Sequence, residues 1–213
     1  MEVELLNHFG GDLNHVNVAR VSYNKEASNY TEEQNTRLLN YLVKHGHTSP
    51  FRHSQLQFRI ECSIYVARQL DKHQVGISVN SISGRYVDFS DSYTLIEQFR
   101  KQSKDSKQGS SEDLSFEENE QALDIQHNAL SACKIAYDSL LNLGVSKEQA
   151  RSVLPMSLNT TFIWTGSFLA FIHLCNLRLK KDAQKETRDV VELMLQQAKE
   201  LEEFKESFKA FGL

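Results

Sequence analysis

The chain has 213 residues, 40% hydrophobic and 24% charged, with a formal net charge of −4. That length allows one substantial domain or two small ones, with a single domain over 1–213 the expectation once the motifs along the chain are weighed, and the apolar share supports a real core. The acidic balance argues against a nucleic-acid binder, which carries a broad basic surface, and no apolar run approaches the ~20 residues needed to span a bilayer. Cys62, Cys133 and Cys175 are widely spaced and offer neither a metal spacing nor a disulfide framework. MEVELLNHFGG is not a basic, apolar leader, so the expected setting is the cytoplasm, that of a host for a viral protein.

In chain order, residues 1–8 predict a strand with Val3 and Leu5 on one face. Gly10-Gly11 turns the chain, and Asp12 is positioned to cap a short helix to about Arg20. ARVSY follows at 19–23, a helix end running into a loop. Thr31 and Gln34 form a capping box for a helix to about His45, with Leu38, Leu39 and Leu42 inward and Gly46 as the terminating glycine. Residues 45–53, HGHTSPFRH, are dense in histidine, and Pro50 forces Ser49 out of helical geometry. His45, His47 and His53 match no zinc-ligand spacing and have no carboxylate among them, so no metal is expected.

Residues 54–62 alternate Leu56, Phe58, Ile60 and Cys62 against Gln55, Gln57, Arg59 and Glu61, a half-buried strand. Ser63 then opens a helix that delivers Arg68, Gln69, Lys72 and His73, with Arg68 and Lys72 one turn apart and Gln69 and His73 likewise. Arg68 to Tyr86, RQLDKHQVGISVNSISGRY, sets cations among Ser78, Asn80, Ser81, Ser83 and Gly84. Cations neutralise phosphate, hydroxyls and amides bond its oxygens, and glycine admits close backbone approach. A solvated basic helix end followed by a polar turn, with Lys72 simply complementing the helix dipole, accounts for the same residues.

After a strand-like YVDF at 86–89, residues 101–121 are polar and predict a mobile surface insertion. A long helix from about Glu118 to Leu143 carries Ala122, Ile125, Ala129, Ala132, Ala136 and Leu140 as a core-facing stripe. Ser146 with Gln149 predicts a second capping box on a short helix that bears Arg151 and stops at Pro155. Alone, Arg151 is an ordinary exposed helix arginine. SLNTTFIWT at 157–165 predicts a strand, and Ser167 caps FLAFIHLCNLRL, apolar nearly all round and therefore buried, with His173 and Arg178 as its polar exceptions. A buried arginine needs a partner: a ligand, or a carboxylate such as Asp182, Glu186 or Asp189. A final helix over 183–205 presents Val190, Val191, Met194, Ala198, Leu201 and Phe204 inward.

Lys72-His73-Gln74, then residues 75–82, then Ser83-Gly84-Arg85-Tyr86, resembles the signature of the flavin-dependent thymidylate synthases. The usual triplet is Arg-His-Arg; here lysine keeps the first charge as a point charge rather than a planar fork, and glutamine loses the second. ARVSY, HGHTSPFRH, Glu148-x-x-Arg151-x-x-Leu154-Pro155 and the block from Trp164 through Arg178 to DAQKETR resemble further family motifs in the same order, across 19–188.

The resemblance implies an α+β fold, a mixed or antiparallel sheet flanked by long helices, assembled as a homotetramer with shared active sites. It implies methylation of dUMP to dTMP with methylenetetrahydrofolate as carbon donor, FAD as redox carrier and NADPH as reductant. Carried over residue by residue, Gln69, Lys72, Ser81, Ser83, Gly84, Arg85, Arg151 and Arg178 would bind dUMP. Ser49, His53, Lys72, His73, Gln74, Ser81, Ser167 and His173 would bind FAD, with Ser22 near it. Ser167 and His173 are positions where family members often carry Asn, and Asn or His, respectively. No cysteine lies in a polar motif, so a thiolate nucleophile is not expected, and Ser83 has no base beside it in sequence. Arg178 is the candidate for electrostatic activation of the pyrimidine. Two other readings remain open: a nucleotide-binding protein of the same fold that has lost flavin chemistry, and a flavoenzyme that reduces a different nucleotide.

Overall fold

A computed structural model describes residues 1–87, 92–104 and 109–213. Strand β1 (Glu2–Phe9) leads through Gly10 and Gly11, both at positive φ, into α1 (Asp12–Arg20). Helix α2 (Glu32–Lys44) opens on the Thr31–Gln34 box, with Gln34 N donating to Thr31 Oγ1 and Thr31 N to Gln34 Oε1. A 3-10 turn, Ser49–Arg52, precedes β2 (Gln55–Ser63) and α3 (Ile64–Leu70). The chain continues through β3 (Ile77–Ser81), the hairpin of β4 (Arg100–Gln102) and β5 (Ser110–Asp113), and the long α4 (Phe116–Asn142). It ends with the short α5 (Lys147–Ala150), β6 (Asn159–Ser167), α6 (Phe168–Arg178), α7 (Lys185–Lys199) and α8 (Lys205–Ala210).

The sheet has the order β1-β2-β6-β3, and every pairing is antiparallel. The fold is thus α+β, on the antiparallel side of the expectation. Alternation explains the register. Phe58 lies opposite Trp164 and Ile60 opposite Phe162, while Leu5 and Val3 meet Phe58 and Ile60 from the other side. Leu56, Phe58, Ile60 and Cys62 are all fully buried beneath α6 and α7, and the intervening Gln55 and Arg59 stay exposed. Among the described residues no helix is long and apolar enough to cross a membrane.

Several local expectations are corrected. Asp12 does not cap its own helix: Gly11 stands at that position, and the Asp12 carboxylate instead accepts from the Glu206 and Ser207 amides (2.7 and 2.8 Å), capping α8. Ser146 makes no side-chain capping bond, nor does Ser63. The final helix stops at Lys199, because Leu201 is extended and the chain turns to drive Phe204 and Phe208 onto Phe168. The polar stretch 101–121 is not one of these: its described residues include parts of β4 and β5 and the start of α4, which is capped by a Ser115–Glu118 box, and residues 105–108 fall outside the described set. Tyr86 and Val87 lie in a turn and a bend rather than a strand, and residues 88 and 89 fall outside the described set.

The stripe assigned to α4 is not core. Ile125 is 70% exposed, Ala129 and Ala132 are exposed, and Ala122, Ala136 and Leu140 are half-buried. What α4 holds is a polar attachment: Gln126 brackets the Ile96 backbone, and Asn119 accepts from Phe99 N and donates to Glu97 O. The buried residues of the helix are Asn119 and Tyr137, and the apolar row is exposed or half-buried.

Candidate active site

The site grows from the C-terminal ends of α3 and α6. Helix α3 ends at Leu70, before the expected Lys72 and His73. The cause is local. In a continuing helix the Gln69 carbonyl would accept from the His73 amide, but His73 N turns back to Leu70 O, and Arg178 Nη2 donates to Gln69 O at 2.9 Å. Arg178 Nε donates to His73 Nε2 at 3.0 Å. The protein partners of Arg178 are therefore a backbone carbonyl and a histidine ring, and none of the three expected carboxylates bonds to it. Glu186 belongs to Arg100 (2.6 Å) and Asp189 to Lys185 (2.5 Å). Nor is Arg178 fully buried; it lies half-buried at the helix end, where desolvation lowers its pKa.

Gln69 is fixed from a second side. Its Nε2 donates to Gln184 Oε1, Gln184 Nε2 donates to Glu186 Oε2 at 2.9 Å, and Glu186 Oε1 accepts from Arg100 Nη2. Glu186 and Arg100 are 14% and 20% exposed, so this ion pair is partly shielded. The chain of polar contacts thus ties the hairpin to the last turn of α3 and, through the Gln69 carbonyl, to Arg178. Sequence reasoning noted Gln184 only as a motif letter, offered Glu186 as a partner for Arg178 rather than for Arg100, and had no signal for Arg100.

A second feature opens beside the β3 edge of the sheet. A cavity of about 410 Å³ is lined by Arg52, Gln55, Ser78, Thr165, Ser167 and His173 on its polar side and by Val75, Ile77, Leu169 and Ala170 on its apolar side. Ser167 is the N-cap of α6, its hydroxyl accepting from Ala170 N. Gly76, at φ +74°, brings its backbone against Ser167, and a Cβ there would sit 3.0 Å from Ser167 Oγ. At Gly166 a Cβ would come within 2.4 Å of the Trp164 ring. Of the cofactor residues expected from sequence, Ser167 and His173 line this cavity directly. Ser49 and His53 are exposed and bracket the turn that bears Arg52, which Phe51 anchors by packing on His15 and Phe168. Lys72 and Gln74 are exposed on the segment that leads to Val75 and Gly76. Arg52, Thr165, Gly76 and Gly166 were not singled out from sequence; two glycines flanking a hydroxyl-rich strand end are the signal that could have found them.

The expected phosphate residues are not gathered with Arg178. Ser81 closes β3, and Ser83-Gly84-Arg85 follows in a turn where Arg85 N donates to Ser83 Oγ and the guanidinium lies 5.3 Å over Tyr86. Arg151, in the 3-10 turn after α5, donates to its neighbour Glu148 O. Ser22 is exposed in a 3-10 turn after α1. Among the described residues none of these bonds to Gln69, His73 or Arg178, and no group of His, Cys, Asp and Glu is arranged to hold a metal ion.

Comparison with known proteins agrees with this architecture. The family described as thymidylate synthase complementing protein matches residues 4–202. A flavin-dependent thymidylate synthase from Kosmotoga olearia is 37% identical over 188 residues, 86% of this chain and 79% of that one. A counterpart from Thermus thermophilus is 38% identical over 198 residues, 93% of this chain and 71% of that one. Among solved structures, the UMP/dUMP methylase PolB from Streptomyces cacaoi, bound with 5-Br dUMP, superposes with a TM-score of 0.87 at 25% identity, covering 99% of this chain and 94% of that one. The chain belongs to the thymidylate synthase complementing protein family, that of the flavin-dependent thymidylate synthases.

Proposed function

We propose that this protein methylates dUMP to dTMP, consuming methylenetetrahydrofolate, NADPH and a proton and releasing tetrahydrofolate and NADP⁺, with FAD as the bound redox carrier. The observation that carries the reading is Arg178: a half-buried cation locked at a helix end by two acceptors, with Nη1 engaged by no described residue. A preorganised cation beside the pyrimidine stabilises the negative charge that develops on its oxygen as C5 becomes nucleophilic. The sulfur route is closed at Cys62 and Cys175, whose thiols sit in the core and are pushed up to about 12 by burial. Cys133 lies on α4, outside the cavity lining and the contacts of Arg178.

The residues beside β3 suit a flavin. An apolar wall of Val75, Ile77, Leu169 and Ala170 accepts a planar ring, and Arg52, Gln55, Ser78, Thr165 and His173 present donors to its polar edge and phosphates. When bound, FAD supplies the two-electron transfer. Ser167 keeps the start of α6 in place and Gly76 lets the backbone come close; Ser49, His53, Lys72, His73 and Gln74, on the segments that flank Arg52 and Val75, would complete the flavin site. Lys72, Ser81, Ser83, Gly84, Arg85 and Arg151, with Gln69 beside Arg178, would hold the nucleotide.

A homotetramer with shared sites accounts for two features together: the exposed and half-buried apolar row of α4, and the distance of Ser83–Arg85 and Arg151 from any bond to Arg178 within one chain. The test is product analysis of FAD-supplemented protein, omitting folate, NADPH, FAD or dUMP in turn and offering UMP in parallel with dUMP. The reading expects dTMP only from the complete mixture; dTMP formed without folate or without flavin would overturn it.

A further inference from the structure

The Arg178–His73 contact carries a consequence for the protonation state of the histidine. An arginine Nε can only donate, so His73 Nε2 must present its lone pair, and the single ring proton sits on Nδ1. Imidazolium has no lone pair at Nε2 and would set two cations face to face at hydrogen-bond distance. We propose that His73 is a positioning residue for Arg178: its neutral ring holds the guanidinium in the working orientation, and its protonation releases Arg178 and lowers affinity for the nucleotide.

The surroundings support a neutral ring. Burial, the Arg178 charge and the His173 ring all lower the His73 pKa, in that order. The groups that face His73 are Arg178 and His173 from α6; on its own segment Asp71 and Lys72 are exposed, and Gln69 contributes a neutral carbonyl to the same guanidinium. No described carboxylate bonds to His73 or Arg178, so nothing local compensates a second positive charge. Half of the clasp is backbone and insensitive to pH; the other half titrates.

The inference rests on the proposed role of Arg178 at the nucleotide, and the test separates the two. Nitrogen-15 NMR of histidine-labelled protein reads the tautomer and titration of His73 without any ligand, alongside the Arg178 Nε–H resonance. Calorimetric titration of dUMP from acid to neutral pH reads affinity. The expected results are an Nδ1–H tautomer, loss of the Arg178 Nε–H resonance as His73 protonates, and an affinity decline on the acid side whose midpoint lies below the ordinary histidine value of about 6.5. His73→Gln, which keeps an acceptor that cannot protonate, should lose that acid decline although His173 remains, whatever its affinity at neutral pH. His73→Leu should bind about tenfold more weakly than wild type at neutral pH, the scale of one charge-assisted hydrogen bond, and converge with wild type on the acid side. An acid decline that persists in His73→Gln, or an Nε2–H tautomer, overturns the proposal. If wild-type protein binds no dUMP at any pH, the nucleotide reading fails, the NMR titration still decides the clasp, and the effect on affinity is refuted.

Discussion

Arg178 and His73, 105 positions apart in sequence, meet at 3.0 Å between Nε and Nε2 where the ends of α6 and α3 converge. Both helices leave the central strands directly, α3 from β2 and α6 from β6, and those strands pair along their full length. The sheet therefore sets the distance between the two helix ends. The side chains at those ends inherit that precision.

Replacing Arg178 with Ala removes the cation and both of its contacts. Turnover should fall by about a hundredfold or more, the cost of removing one preorganised charge stabiliser, while much of the bound FAD is retained. Parallel measurement of kcat and of flavin absorbance after gel filtration checks both. Turnover within a few-fold of wild type would remove Arg178 from the mechanism.

Glu186 closes the polar chain that runs from Arg100 to Gln69. Glu186→Gln keeps the shape but leaves Arg100 without its counter-charge. Because both side chains are partly exposed, the expected loss is about 1–2 kcal/mol rather than the larger cost of breaking a fully buried pair. Urea denaturation measures it, and Arg100→Gln in the same background should add little further loss, since the two act as a unit.

Gly166→Ala pushes a methyl into the rigid ring of Trp164, which is fully buried against Phe58 and Phe171. The ring has no free direction in which to move. Overpacking of this kind costs about 1–3 kcal/mol, visible as a lowered thermal midpoint. An unchanged midpoint would show that β6 shifts without cost.

His15 is fully buried, with Nδ1 on Ser207 Oγ at 2.8 Å and its ring against Phe51 and Phe168. Burial, with the nearby His53, lowers its pKa to about 3 from the ordinary 6.5. Below pH 6.5 the unfolded chain takes up a proton that the folded chain refuses, so stability is full above that value and is lost as pH falls toward 3. The contribution is on the order of a few kcal/mol. Denaturation midpoints across that window should decline in wild type and decline less steeply in His15→Phe.

Strand β2 was legible because it obeys a two-residue alternation that burial honours at Phe58 and Ile60, and β6 through its β-branched and aromatic content; β3, read as a polar turn, was not. The Thr31–Gln34 box was legible for the same kind of reason, as a local pattern with a local cause. The α4 stripe misled because periodicity reports an apolar face and not what covers it. Asp12 misled because a carboxylate at a helix start can serve another helix across the fold, and α8 is nearly two hundred residues away in sequence. At the site, family motifs pointed to Arg178, His73 and Gln69, yet their mutual bonds could not be read from letters. The end of α3 depends on a guanidinium arriving from α6, and Arg100 enters from a hairpin that composition alone disguised as a featureless insertion.

The most direct test of the central claim is a single turnover without oxygen. FAD-loaded protein is reduced with NADPH and mixed with dUMP and methylenetetrahydrofolate, the flavin absorbance is followed, and quenched samples are analysed for dTMP. The account predicts that the flavin reoxidises as dTMP accumulates, in matching amounts, and only when both dUMP and folate are present. Flavin that stays reduced, or reoxidises without dTMP, would contradict it.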